Sequence, residues 1–175
     1  MIAGSAMAQC PPAPDHTIAI ADLISQARAA DTEMQGREFG AQMWVLWAKA
    51  PNEQAQAILN RGMSKRRAFD MLGAIADFDV LVGYCPDYAE GYNQRAFANF
   101  LQGKFEPAVV DLVKAIELSP NHVAARAGLA LTYMELGQLD AAREELLRAL
   151  DLNPWLSERH LLSKGGRLAP KGEDI

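Results

Sequence analysis

The sequence predicts an all-α superhelix of stacked helix–turn–helix repeats, and three observations carry that prediction. Pro86, Pro120 and Pro154 stand 34 residues apart. At the same offset Ala96 is matched by Ala130, Gly103 by Gly137, Ala108 by Ala142, Leu112 by Leu146 and Ala115 by Ala149. A fixed period with small residues, a turn glycine and a closing proline marks a repeat of paired helices. Finally, the 175 residues are half apolar, enough for a core without staples. A net charge of −5, from 22 acidic and 17 basic residues, gives neither a basic field for nucleic acid nor a polybasic membrane patch. No apolar run reaches the roughly 18–20 residues that span a bilayer.

Residues 1–16 read as a leader remnant and a proline-rich arm. MIAGSAMA is small and uncharged, and Ala6-Met7-Ala8 has the pattern of a cleavage site, but a basic n-region and a long apolar core are missing. A trimmed signal peptide and a short leader of a cytosolic protein both fit. Gln9 argues against lipid attachment at Cys10. Cys10 and Cys85 could form one disulfide in an exported protein, or remain a free and a buried thiol. With no Cys-x-x-Cys pair and three scattered histidines, no metal or cofactor is expected.

Residues 17–51 predict a helix pair. Thr17 offers an N-cap to a helix over 18–30, with Ile20, Leu23, Ile24 and Ala27 on one face. A second helix over 34–49 carries Phe39, Met43, Trp44, Leu46 and Trp47 and stops at Pro51. Gly40 and Trp44 fall on the repeat's small and large positions, so the pair reads either as a degenerate repeat or as an N-terminal cap.

Three repeat units follow, 55–88, 89–122 and 123–156. In the first, Gly62 and Ala74 take the small positions and Phe78 and Leu81 the large ones. Phe69-Asp70 stands where the later units have Gly103-Lys104 and Gly137-Gln138. Lys65, Arg66 and Arg67 suit the negative end of a helix dipole and read as a solvated helix end. Asp87 and Asn121 are candidate N-caps. After Pro154, residues 155–163 predict a capping helix with Asn153 as N-cap and Pro154 at its first position. The Gly-, Pro- and charge-rich residues 164–175 predict a disordered tail.

The order Leu129, Ala130, Tyr133, Gly137, Leu139, Ala142, Leu146, Ala149, Leu150, Pro154 resembles the tetratricopeptide repeat, over residues 55–156. The stretch 86–96 and the ending Gly172-Glu173-Asp174-Ile175 also resemble short exported repeat proteins of proteobacteria, which implies a periplasmic location and no known activity. In the repeat family the first helix of each unit lines a concave side where peptides dock. Its concave register implies Gln56, Leu59, Met63, Arg66 and Arg67, then Glu90, Asn93, Phe97, Phe100 and Leu101, then Ala124, Ala127, Leu131, Met134 and Glu135. The carboxylate clamp of some members needs Lys and Asn where this chain has Leu59 and Met63, so that clamp is not expected.

Leu59, Met63, Tyr92, Asn93, Phe97, Phe100 and Leu131 are therefore the candidate contact residues for a protein or peptide partner in an apolar groove. The alternative is a self-assembling structural protein whose groove is filled by its own N-terminal helices or by another copy. Catalysis is not expected. Asp77 and Asp79, or Glu144 and Glu145, lie on regular helical units without an apolar pocket and read as solvated. Ser157 and His160 lack a third orienting group, and Gly165-Gly166 has no strand before it.

Overall fold

The computed structural model describes residues 9–170. The expected leader pattern in residues 1–8 and the end of the expected tail, 171–175, lie outside the described residues. Among the described residues, all regular structure is helical. The helices are α1 (Thr17–Ala29), α2 (Glu33–Trp47), α3 (Glu53–Arg67), α4 (Met71–Tyr84), α5 (Ala89–Leu101), α6 (Phe105–Leu118), α7 (Val123–Glu135) and α8 (Leu139–Leu152), followed by a 3₁₀ segment, Ser157–Leu162.

From α3 to α8 each helix packs on the next, so three antiparallel pairs stack into one array. The 34-residue period is visible in the backbone. Within each pair the turn residue, Phe69, Gly103 or Gly137, has φ of 62, 70 or 74°. The N–H one residue later donates back to the carbonyl five residues earlier: Asp70 to Lys65, Lys104 to Asn99, Gln138 to Tyr133. This is a helix stop built on a left-handed residue, which glycine adopts without strain. The first pair makes the same turn with Phe69, whose 86% exposure spares it any clash with neighbours but not the local cost of a left-handed non-glycine residue.

Between pairs, Cys85, Ser119 and Asn153 cap the outgoing helices, and the N–H groups of Tyr88, His122 and Leu156 donate back to their carbonyls. Tyr88 and His122 themselves are the N-caps of α5 and α7, one residue beyond the expected Asp87 and Asn121. The His122 ring nitrogen Nδ1 accepts from the Ala125 N–H at 3.2 Å. Inside each pair small residues set the helix spacing. Ala74, Ala96, Ala108 and Ala142 are fully buried, and a Cβ at Gly62 would run into the Phe78 ring.

An ionic ladder repeats with the same period. Arg61 pairs with Asp77 at 2.8 Å and Arg95 with Asp111 at 2.6 Å. In the third unit Leu129 occupies the equivalent site, and Arg126, one turn earlier, pairs with Glu145 at 2.9 Å. Asp77 and Glu145, expected as solvated, are therefore buried ion-pair partners, whereas Asp79 and Glu144 stay exposed. Asp79 also pairs, with Arg95 at 2.7 Å, so a cationic partner alone does not decide burial; it supplies the compensating charge that the buried Asp77 and Glu145 demand.

Both ends depart from the expected arrangement. Thr17 is the first helical residue rather than the cap, and its N–H donates to Asp15. Asn153 ends α8 instead of starting a further helix, and only the 3₁₀ segment follows Pro154. Residues 164–170 are not structureless. Leu168 is 1% exposed in a cluster with Ala130, Met134, Ala142 and Leu146, its N–H donates to the Leu161 carbonyl, and Arg143 donates to the Ala169 carbonyl. One apolar residue among the glycines is enough to dock the segment on the open end of the last pair.

Candidate functional site

The helix pair α1–α2 does not continue the array, because α2 and α3 share almost no contact. It forms a hairpin across the concave side instead. Its root is held twice. The linker 48–52 leads into α3, with the Asn52 side chain capping that helix and donating to Tyr84 Oη. Cys10, seven residues ahead of α1, is joined to Cys85 at the end of α4 by a disulfide, with Cα atoms 5.2 Å apart. The tip reaches the far end of the array. There Trp155 Nε1 donates to the Ala27 carbonyl, Asn153 Nδ2 to the Gly36 carbonyl, Arg28 pairs with Asp151, and Arg159 pairs with Glu33. A Cβ at Gly36 would collide with the Trp155 ring, so this close approach requires glycine.

At the root end, Trp47 seats the hairpin on the N-terminal ends of α5 and α7. Its ring stacks on His122 at 4.2 Å, nearly parallel, and its carbonyl accepts from Tyr88 Oη at 2.8 Å. Burial, and next the Glu90 carboxylate, push the Tyr88 phenol well above its usual pKa, so it stays a donor. His122 is fully buried and contacts Glu90 Oε2 at 2.9 Å. Because Nδ1 accepts from Ala125, Nε2 carries the hydrogen and donates to Glu90. The same carboxylate accepts from Asn93 at 3.0 Å and Gln94 at 2.6 Å. Three donors, two on α5 and one at the N-cap of α7, thus satisfy one buried carboxylate, which otherwise would be costly to desolvate.

What the hairpin leaves open is a cleft of about 490 Å³. It is walled by Asn93, Phe97 and Phe100 of α5 and Ala127 and Leu131 of α7, with Trp44 from the hairpin and Leu156 beyond α8. Of the expected contact residues, Asn93, Phe97, Phe100 and Leu131 line this cleft. Phe97 is 43% exposed. Leu59 and Met63 do not line it. They are buried in a cluster with Phe78 and Leu81 into which Cys10 and Ala13 of the arm also pack, so the pinned arm helps close the stretch of α3 that would otherwise be concave surface. Tyr92 is turned aside as well, with its hydroxyl donating to the Pro86 carbonyl. Arg66 and Gln94 line the cleft and were not among the expected contacts. The concave register did contain Arg66, but its place in a basic run masked it.

Ser157 and His160 make no hydroxyl–imidazole pair, since His160 Nδ1 sits 2.6 Å from the Ser157 backbone carbonyl and the Ser157 hydroxyl donates to Glu158. Among the described residues no group of three or more His, Cys, Asp or Glu is placed to hold a metal ion, and no helix is long and apolar enough to cross a membrane.

Comparison with known proteins agrees with the repeat geometry. A tetratricopeptide repeat family model matches residues 99–157. The chain is 32% identical to human tetratricopeptide repeat protein 36, over 81% of this chain and 75% of that protein. It is 34% identical to the Xenopus tropicalis protein of that name, over 63% of this chain but only 56% of the frog protein's length. Among solved structures, the TPR2B domain of yeast Sti1 in its pHsp70 complex superposes with a TM-score of 0.57 at 27% identity, covering 58% of this chain and 81% of that one. The chain belongs to the tetratricopeptide repeat family.

Proposed function

We propose that the protein is a binding module that holds a segment of a partner protein in the cleft between α5, α7 and Trp44, and that it works in an oxidising compartment such as the periplasm. The observation that carries the reading is the half-exposed Phe97 ring in a largely apolar cleft, flanked by Phe100 and Leu131. Exposed aromatic surface in a concavity is where binding energy concentrates. That the similar yeast domain was solved as a pHsp70 complex supports a protein segment as the ligand. The Cys10–Cys85 bond supports the location, because structural disulfides persist outside reducing compartments.

Site-specific photocrosslinking tests this reading. A benzoylphenylalanine at Phe97 is expected to give a discrete partner adduct in the native host, and the same group at Val110, 68% exposed on α6, is not. Equal labelling from both sites, or none from Phe97, overturns the proposal.

A further inference from the structure

Among the described residues, Arg66 is the cation of the cleft that lacks an ion-pair partner, while the carboxylate that lines the cleft, Glu158, accepts from the Ser157 hydroxyl. Arg61, Arg95 and Arg126 each have a carboxylate partner. Arg66 has none among the described residues. Its guanidinium lies 4.4 Å from the centre of the Phe97 ring, and its Nε is buried without an acceptor. Burial and the adjacent Arg67 push its pKa down, with Glu90 only partly offsetting them, so the burial of this cation is left incompletely compensated. The second unpaired group is an acceptor. Gln94 is 4% exposed, its amide nitrogen is committed to Glu90, and its Oε1 has no donor among the described residues. Both side chains line the cleft.

We propose that the cleft recognises an extended apolar segment carrying one Asp or Glu, whose carboxylate meets Arg66 while a main-chain N–H of the segment meets Gln94. The proposal rests on the binding reading above and names the chemistry of the partner. An extended segment fits better than a helix, because helical N–H groups are already used internally and a helix is about 10–12 Å across. A single carboxylate fits better than a phosphate group. One guanidinium in apolar surroundings balances one negative charge, and a phosphate carries more charge and more acceptors than the cleft has donors. The guanidinium of Arg66 rests over the Phe97 ring, and its planar fork suits a carboxylate.

Selection from a random phage-displayed heptapeptide library on the full, disulfide-intact protein tests this. Wild-type protein is expected to enrich peptides with Asp or Glu among apolar residues. Arg66→Gln protein is expected to enrich apolar peptides without the acid. For a selected peptide, replacing its acid by the amide should weaken wild-type binding by about tenfold, the scale of a charge-assisted hydrogen bond, and leave Arg66→Gln binding unchanged. Arg66→Lys, which keeps the charge without the fork, should fall between, and thermal melts confirm that both variants are folded. Apolar peptides selected without acid preference, or acid preference that survives Arg66→Gln, overturn the proposal and leave the binding reading standing. Failure to select any peptide overturns both.

Discussion

The array from α3 to α8 and the hairpin α1–α2 are built on different rules. In the array the contacts that set the helix geometry recur 34 residues away: the left-handed turn residue, the proline-closed return and, in the first two pairs, the same arginine-to-carboxylate link. In the hairpin each contact occurs once, and its partners lie far off in sequence, as with Ala27 and Trp155 or Gly36 and Asn153. The array's stability is local and shared among neighbours. The hairpin's docking depends on a few long-range groups and one covalent bond. Periodic contacts set the architecture, and the unique ones decide how much of the concave face stays open.

The most forceful way to separate the two regions is to cut the covalent root. Cys10→Ala removes closure of a loop spanning 75 residues, worth about 4 kcal/mol in the chain-entropy model. Denaturant unfolding should show that loss, and amide exchange should show where it falls. Protection is expected to drop in residues 17–47 and to persist in α5–α8. A uniform drop would mean that hairpin and array unfold as one unit.

Glycine replacements sharpen the contrast by sign. Gly36→Ala pushes a methyl group into Trp155 at the hairpin tip and should destabilise by about 1–2 kcal/mol. Gly83→Ala, in α4 with nothing within 4 Å of the added atom, should stabilise by about 0.5–1 kcal/mol through helix propensity alone. Thermal melts of the two variants decide it, and shifts of the same sign would contradict the packing described.

Acid has the smallest effect and touches both regions. Burial raises the Asp77 carboxyl, but hydrogen bonds and charges from Arg61 and Lys65 outweigh it, so the folded pKa lies below the ordinary value. At the tip, the hydrogen bond and charge of Arg159, with Arg37 behind them, lower Glu33 likewise. A depressed folded pKa contributes stability that is full above the unfolded-state value and vanishes as pH falls through the folded one. Stability should therefore decline as pH drops below about 4. Asp77→Asn should flatten that decline more than Glu33→Gln, because Asp77 is buried and the Glu33 side chain is 41% exposed.

The array was legible because its signals are periodic and cheap to recognise. Pro86, Pro120 and Pro154 and the two turn glycines locate the helix ends within a residue or two. Half of the cleft was legible for the same reason, since Asn93, Phe97, Phe100 and Leu131 follow from the repeat register. Leu59 and Met63 misled because that register presumes an open concave side, and here α3 packs into the cluster that the arm joins. Asp77 and Glu145 misled because a charged residue's burial depends on a cation 16 or 19 positions away. No local pattern announces that Gly36 must meet Trp155. Such contacts are specified only by the folded surfaces.

A row of stacked helix pairs is an elastic coil, bending a little at every interface. Here a brace runs from Tyr88 and Trp47 at one end to Ala27 and Trp155 at the other, as a string spans a bow. The brace turns the coil into a closed frame whose opening is fixed before anything enters it, so little of the freedom lost on binding remains to be lost. Under tension the frame would yield first at the string, where the bonds are few and single, and only afterwards along the coil.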